Sequence, residues 1–117
     1  MPDKPLTWLG SCERDVRALP PDAKRLAGFQ LRRVQQGLDP NDWKPMTTVG
    51  AGVREIRIHT GLEHRVLYVA TFAEAVYVLH AFEKRTRKTA TRDVNLAKHR
   101  FRELIDLRRT VEHGDKK

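Results

Sequence analysis

Three runs of β-type residues between positions 53 and 88 dominate the hydrophobic pattern of the chain. The first run, VREIRIH, alternates in polarity, and successive side chains of a strand point to opposite faces of a sheet. One face carries Arg54, Ile56 and Ile58, and the other carries Glu55, Arg57 and His59. Two further runs, HRVLYV and VYVLHAF, follow turns that contain Gly or Ala and Glu. The pattern predicts a three-stranded antiparallel meander with one face for the core and one polar face.

The chain before the meander predicts one strand and two helices. Residues 4–9 form an extended segment that closes at a glycine. Ser11 is placed to cap a short helix, and Asp22 to cap a second helix that runs to about Gln36. Residues 39–52 contain Pro, Asn, Gly and Thr, which predicts a connecting loop.

The chain after the meander predicts a final helix, capped by Thr89 or Thr91. Five apolar residues form the stripe that should pack on the sheet: Val94, Ala97, Phe101, Leu104 and Ile105. The basic residues expected on the outer side are Arg92, Lys98, Arg100 and Arg102. Residues 108–117 are polar and predict a frayed tail.

Together these elements predict a single domain over residues 1–117, of the α+β class. Its sheet is small and antiparallel, built from the N-terminal strand and the three-stranded meander, with an α-helical hairpin and a C-terminal helix. We expect the helices chiefly on one face of the sheet, which leaves the other face for function. A chain of 117 residues is long enough for one hydrophobic core and too short for two.

Composition adds a strong positive charge to this picture. The chain has 23 Lys and Arg against 15 Asp and Glu, a formal net charge of +8, which attracts polyanions or an acidic protein. No apolar stretch approaches the roughly 18 residues of a membrane span. A lone Cys12 fits a reducing compartment and is predicted to lie in the core. We expect a soluble, unprocessed cytoplasmic protein with no membrane partner.

Common metal and nucleotide motifs are missing from the sequence. The five histidines show no HxH or HExxH spacing, and the TVGAG segment precedes a strand and lacks a following Lys-Ser or Lys-Thr pair. We therefore expect no metal and no cofactor. His80 lies within an apolar run, which favours a core or sheet-face histidine over a catalyst.

Cations cluster instead at the ends of the predicted strands. A turn at Gly61 brings Arg57 and Arg65 side by side, and Lys84 and Arg85 end the third strand near the start of the last helix. The free N–H groups of a helix start next to cations suit a phosphate group. The alternatives are solvated basic residues or a structural ion pair between Arg65 and Glu55. The clustering favours nucleic-acid binding.

The segments VREIRI, HRVLYVATF and VYVLHAFEKRTRKT, followed by DVNLAKHRFRELI, resemble the RelE/ParE toxin superfamily. The resemblance is closest to its HigB-like, phage-derived subgroup and covers almost the whole chain. It implies a RelE-like fold and a type II toxin that is neutralised by a HigA-like helix-turn-helix antitoxin. RelE-like and HigB-like members cleave messenger RNA, usually in the ribosomal A site and without a metal. ParE-like relatives poison DNA gyrase instead.

By position, the resemblance implies catalytic roles for Arg57, Arg65, Lys84 and Arg85. Metal-free RNA cleavage uses the 2′-hydroxyl as the nucleophile, so the protein has to orient it and stabilise a charged phosphorane. We expect two arginines to hold the scissile phosphate and the lysine to assist proton transfer. The alternative bases are Glu55 and His59, and the residues expected to bind flanking RNA are Arg54, Arg87, Lys88 and Arg92.

Two rival functions come from other classes. One is a ParE-like gyrase inhibitor that binds a protein and does no chemistry, and the other is a non-catalytic, nucleic-acid-binding phage accessory protein. A convergent set of strand cations favours the endonuclease over the gyrase inhibitor, because an inhibitor does not need a phosphate site.

Overall fold

A computed structural model describes the backbone of residues 3–114 and the side chains of residues 3–111. Within that range the chain forms five strands and three helices. In chain order they are β1 (Leu6–Trp8), α1 (Cys12–Arg17), α2 (Pro21–Gln35), β2 (Trp43–Pro45), β3 (Val53–His59), β4 (Glu63–Val69), β5 (Val76–Glu83) and α3 (Thr91–Gly114). The predicted α+β class, helical hairpin, meander and C-terminal helix are confirmed.

The five strands form one mixed sheet in the order β1-β5-β4-β3-β2. The meander β3-β4-β5 is antiparallel as predicted, but β1 runs parallel to β5, with Thr7 opposite Tyr77. The wholly antiparallel sheet expected from the sequence is therefore wrong at this edge. The helical hairpin carries the chain away from β1 before the meander begins, so β1 and β5 are free to run in the same direction.

The segment expected to be only a loop supplies a second edge strand. Within it, β2 pairs antiparallel with β3, and Lys44 lies opposite Glu55. The strand has three residues and ends in Pro45, which is acceptable at a sheet edge but gives no alternating pattern in the sequence. This pairing brings Lys44 to the polar side of the sheet.

Helices cover both faces of the sheet, so the expectation of helices chiefly on one face is wrong. One core cluster joins α1 and α2 to the face that carries Ile56, Val66 and Val78. A second cluster joins α3 to the opposite face through Leu67 and Leu79. The α3 cluster does not extend to the part of this second face that carries Arg57 and Arg65. That uncovered part is where the candidate site lies.

Arg100 does not face outward as predicted. It is buried, and its guanidinium donates to the Leu79 carbonyl (3.0 Å), to Ser11 Oγ (3.1 Å) and to Cys12 Sγ (3.3 Å). Cys12 is a core residue as predicted, and burial raises the pKa of its thiol to about 11. Arg100 thus joins α3 to the start of α1 across the edge of the sheet.

The TVGAG segment has a packing role. A Cβ atom on Gly50 would come within 2.4 Å of the Phe101 ring, and Gly52 has a φ of +80° that favours glycine. Gly50 therefore lets the turn between β2 and β3 lie against α3, and Gly52 lets the backbone of that turn adopt a left-handed conformation.

The last helix continues past the predicted start of the frayed tail at residue 108 and ends at Gly114. Arg108 lies 3.8 Å above the Phe72 ring, and its Nε donates to Glu74 at 2.7 Å. That pair and a hydrogen bond from Tyr77 hold the pKa of the Glu74 carboxyl down at about 2. Residues 115–117 of the predicted tail lie outside the described residues.

Candidate active site

Four cations converge on the uncovered part of the sheet, and we call them the cation cluster: Lys44, Arg57, Arg65 and Lys84. Arg57 and Arg65 are direct partners in the β3-β4 pairing. Lys84 follows the end of β5, and its backbone N–H donates to the Glu63 carbonyl at 2.7 Å, which fixes it beside β4. Three predicted catalytic residues are therefore brought together by the meander, and β2 adds a fourth cation.

A single carboxylate lies among these cations. Glu55 is fully buried, and its Oε1 lies 3.6 Å from Arg65 Nε and 3.8 Å from both Arg57 Nε and Lys44 Nζ. Neither of its oxygens has a hydrogen-bond partner among the described residues. Glu55 therefore acts through charge, offsetting the mutual repulsion of the cations around it. Its burial makes it a poor fit to the alternative role of base.

Arg65 and Arg57 differ in how they are held. The Arg65 side chain is only 8% exposed, and its Nη1 donates to Glu63 Oε1 and to the His64 carbonyl, both at 3.0 Å. The Arg57 side chain is 36% exposed and has its nearest additional carboxylate oxygen, from Asp42, at 3.9 Å. Arg65 is thus a fixed charge, while the Arg57 guanidinium is accessible to an incoming anion.

Lys84 has the electrostatic surroundings of a lysine that gives up its proton readily. Partial burial lowers its pKa, and repulsion from Arg65, Lys44 and Arg57 lowers it further. The Glu55 carboxylate opposes this effect and raises the pKa. The net shift is toward the neutral amine, which is the form that a general base needs.

His59 is bound between two carboxylates at the rim of the cluster. Its Nε2 lies 2.7 Å from Asp42 and its Nδ1 lies 2.8 Å from Glu63. These hydrogen bonds, first to Asp42 and then to Glu63, raise the pKa of the imidazole. The shift favours the protonated imidazole, which disfavours the predicted alternative role of His59 as a base.

The remaining predicted site residues lie farther from the cluster. The Arg85 side chain is 80% exposed and pairs with Glu83. Arg87 and Lys88 are exposed in the segment between β5 and α3, and Arg92 is exposed in the first turn of α3. Arg54 lies on the other face of the sheet, where its guanidinium stacks 3.9 Å above Trp43 and donates to Asp39.

A cavity of about 440 Å³ opens next to the cluster, between the end of β5 and the start of α3. Its lining includes Lys84, Phe82 and Asp93. The buried His80 is hydrogen-bonded through Nε2 to Asp93 Oδ1 at 2.7 Å, so His80 is a paired sheet-face histidine as predicted. Sequence reasoning missed Asp93 and Lys44 as site residues, because only the tertiary structure places them beside Lys84. It also missed Phe82, which is close to Lys84 in the chain but has the apolar character of a core residue.

Residues 3–114 contain no group of three or more described His, Cys, Asp or Glu side chains arranged to hold a metal ion. No helix among them is both long enough and apolar enough to cross a lipid bilayer.

Comparison with known proteins gives one family. The sequence profile of the family described as Phage derived protein Gp49-like (DUF891) matches residues 14–102, which include the whole cation cluster and the lining of the cavity beside it. A search of curated proteins gives no match. Since the matched range covers most of the chain, this protein belongs to the phage-derived Gp49-like family.

Proposed function

We propose that this protein is the toxin of a type II toxin-antitoxin system and that it cleaves messenger RNA on the ribosome without a metal ion. The observation that carries the proposal is the convergence of Arg57, Arg65 and Lys84 around one buried carboxylate, with the pKa of the lysine lowered. The Gp49-like family is related to RelE-like toxins, which supports placing the chain in the RelE/ParE superfamily near the HigB-like subgroup.

The chemistry assigned to the cluster is transfer of the phosphoryl group within the RNA. Neutral Lys84 takes the proton of the 2′-hydroxyl, the 2′-oxygen forms a bond to phosphorus, and the bond to the 5′-oxygen breaks. The 5′-oxygen leaves with a proton from solvent. The Arg57 guanidinium binds the non-bridging oxygens of the phosphorane, and the fixed charge of Arg65 stabilises the same developing anion.

The proposed partners follow from charge and from the family relationship. The net charge of +8 suits ribosomal RNA and messenger RNA, with Arg85, Arg87, Lys88 and Arg92 binding backbone phosphates beside the cluster. The proposed antitoxin is a HigA-like helix-turn-helix protein encoded by the neighbouring gene. The proposed site of action is the cytoplasm, where translation takes place.

The test is to induce the protein in growing bacteria and to map new RNA 5′ ends. The expected result is cleavage within translated regions by the wild-type protein and its loss in Arg57→Gln and Lys84→Met, with folding unchanged by circular dichroism. Arg102→Gln is the matched control, because it removes one exposed cation from α3 on the chain's surface and should leave cleavage intact.

Two results would refute the endonuclease. Intact transcripts with accumulating double-strand DNA breaks would indicate the ParE-like, gyrase-directed function. Intact transcripts, intact DNA and salt-dependent RNA binding by the purified protein would indicate the non-catalytic accessory protein.

A further inference from the structure

The cavity beside the cation cluster has the composition of a nucleobase site. Its volume of about 440 Å³ lies in the range of small-molecule pockets. It shares Lys84 with the cluster, so a nucleotide bound there would have its phosphates near Arg57 and Arg65. The cavity also contains one aromatic ring and two carboxylates, which the proposed phosphate chemistry does not use. One of the carboxylates, Glu83, is already paired with Arg85 at 3.0 Å.

The aromatic ring is that of Phe82, which lines the cavity near the end of β5. The His80 ring stacks on Phe82 with 4.8 Å between ring centroids and 23° between ring planes. His80 covers one side of Phe82 and does not itself line the cavity, whereas Phe82 does. A planar base inserted there would extend an existing stack, and stacking on aromatic side chains is the usual way that single-stranded RNA bases are held.

The second carboxylate of the cavity is that of Asp93, whose side chain is only 12% exposed. Its Oδ1 is bonded to His80 at 2.7 Å, which fixes the orientation of the carboxylate at the cavity wall. An ionised carboxylate only accepts hydrogen bonds, so it favours a base edge that presents N–H groups and disfavours carbonyl oxygens. Asp93 is therefore a specificity group and not merely a source of charge.

Three basic residues of the lining supply the opposite chemistry. Lys84, Arg85 and Arg92 surround the same cavity and can donate hydrogen bonds to acceptor atoms. Guanine presents adjacent N1–H and N2–H donors on one edge and the O6 and N7 acceptors on another, and O6 and N7 are common targets of Arg and Lys. Uracil presents carbonyl oxygens on both sides of its single N–H, and adenine lacks the O6 acceptor.

We propose that this cavity binds a guanine base of single-stranded RNA, stacked on Phe82 and with its donor edge on Asp93. The inference rests on the proposed function, because it places the guanine in the nucleotide next to the scissile phosphate. It adds the base preference of the cleavage site and assigns specificity to Phe82 and Asp93, neither of which takes part in the proposed phosphoryl transfer.

The binding test uses the full-length protein and guanosine, adenosine, cytidine and uridine 5′-monophosphates in isothermal titration calorimetry. We expect guanosine monophosphate to bind at least about tenfold more tightly than the others, a difference that one stacked, hydrogen-bonded base can supply. Asp93→Asn should reduce the preference for guanine to less than about threefold, because an amide presents a donor as well as an acceptor. Phe82→Leu should weaken the binding of guanosine monophosphate by about tenfold while retaining an apolar core residue.

Controls separate this inference from a folding defect and from the proposed function. Since Asp93→Asn alters the pair with His80, its thermal unfolding is measured to detect a folding defect. Phe82→Leu tests the same cavity without changing that pair. Arg102→Gln should bind all four nucleotides like the wild type. Equal binding of the four nucleotides, or a guanine preference that survives both variants, would overturn the inference. Messenger RNA cleavage without a guanine preference would overturn the pocket alone, whereas guanine preference without any cleavage would overturn the endonuclease alone.

Discussion

Replacing Glu55 by glutamine tests whether one buried charge holds the cation cluster together. The substitution keeps the shape of the side chain and removes the charge that lies 3.6 Å from Arg65 Nε. Removing one partner of a buried ion pair typically costs about 3–5 kcal/mol, because the other charge stays buried. Arg65 retains a hydrogen bond to Glu63 at 3.0 Å, so the lower end of that range applies.

The other two cations add little to this estimate. The Lys44 side chain is 39% exposed and that of Arg57 is 36% exposed, so water can solvate both when the carboxylate is gone. Each contributes about 0–1 kcal/mol, as pairs open to solvent do. We therefore expect Glu55→Gln to lower the free energy of unfolding by about 3 kcal/mol.

Urea denaturation at neutral pH measures this change. For a slope of about 1–3 kcal/mol per molar, a loss of about 3 kcal/mol moves the midpoint down by about 1–3 M. Glu13→Gln is the matched control, since it removes a carboxylate from the exposed pair with Arg17 and should cost at most about 0.5 kcal/mol. A double-mutant cycle with Arg65→Gln should give a coupling energy above about 1 kcal/mol. If Glu55→Gln lowers the free energy of unfolding no more than Glu13→Gln does, the charge of Glu55 does not stabilise the cluster.

Three further predictions concern proton transfer and packing. Repulsion from Arg57 lowers the pKa of Lys84, so Arg57→Gln should raise that pKa. The titration of Lys84 followed by NMR, and the pH at which any residual RNA cleavage reaches its plateau, should both move to higher pH. An unchanged titration would contradict this electrostatic coupling. Arg100→Met removes the side-chain donor to the Leu79 carbonyl and should lower the free energy of unfolding by about 1–3 kcal/mol in urea; no loss would mean that the hydrogen bond is dispensable. Gly50→Ala should lower the free energy of unfolding by about 1–3 kcal/mol, because the added methyl group overlaps the Phe101 ring. Gly28→Ala is the control: its methyl group would have no atom within 4 Å, so thermal unfolding should be unchanged or shifted to higher temperature.

The lowered pKa of Lys84 also makes the stability of the fold depend on pH. Its pKa is lower in the folded protein than in the unfolded chain, so between the two values the unfolded chain binds more protons. Stability should therefore rise with pH across that window, provided that other groups do not titrate there. His59 has the opposite sign, because its raised pKa means that its stabilising contribution is present below the unfolded pKa and is lost as pH rises through the folded one.

The sequence is sufficient for the parts of the fold that rest on local pattern. Alternation in VREIRIH correctly places Arg57 and Ile56 on opposite faces of the sheet, and the turn at Gly61 correctly predicts the pairing of Arg57 with Arg65. Both are short-range features that the period of a strand and the chemistry of a turn determine. The residues brought together by the meander are therefore the ones that could be predicted.

The missed features depend on contacts between residues distant in sequence. Lys44 reaches the cluster through a three-residue strand with no periodic pattern of its own. Helical spacing assigns Arg100 to the outer side of a helix, and only the docking of α3 on the sheet brings it to the Leu79 carbonyl. In the sequence, Asp93 has the position of an ordinary acidic residue in the first turn of a helix. Its hydrogen bond to His80 forms only because α3 packs on β5. No local pattern marks any of these three.

The burial of Glu55 also explains why the candidate site takes this form. Cations that converge on a phosphate repel one another when the phosphate is absent, and a solvated arrangement would let them move apart. An exposed carboxylate would compete with the phosphate for the same guanidinium groups. A buried carboxylate on the same face as the cations offsets the repulsion and leaves the exposed part of Arg57 for the ligand. The same charge limits how far the pKa of Lys84 falls, so a single buried residue acts on both the arrangement of the cations and the proton affinity of the proposed base.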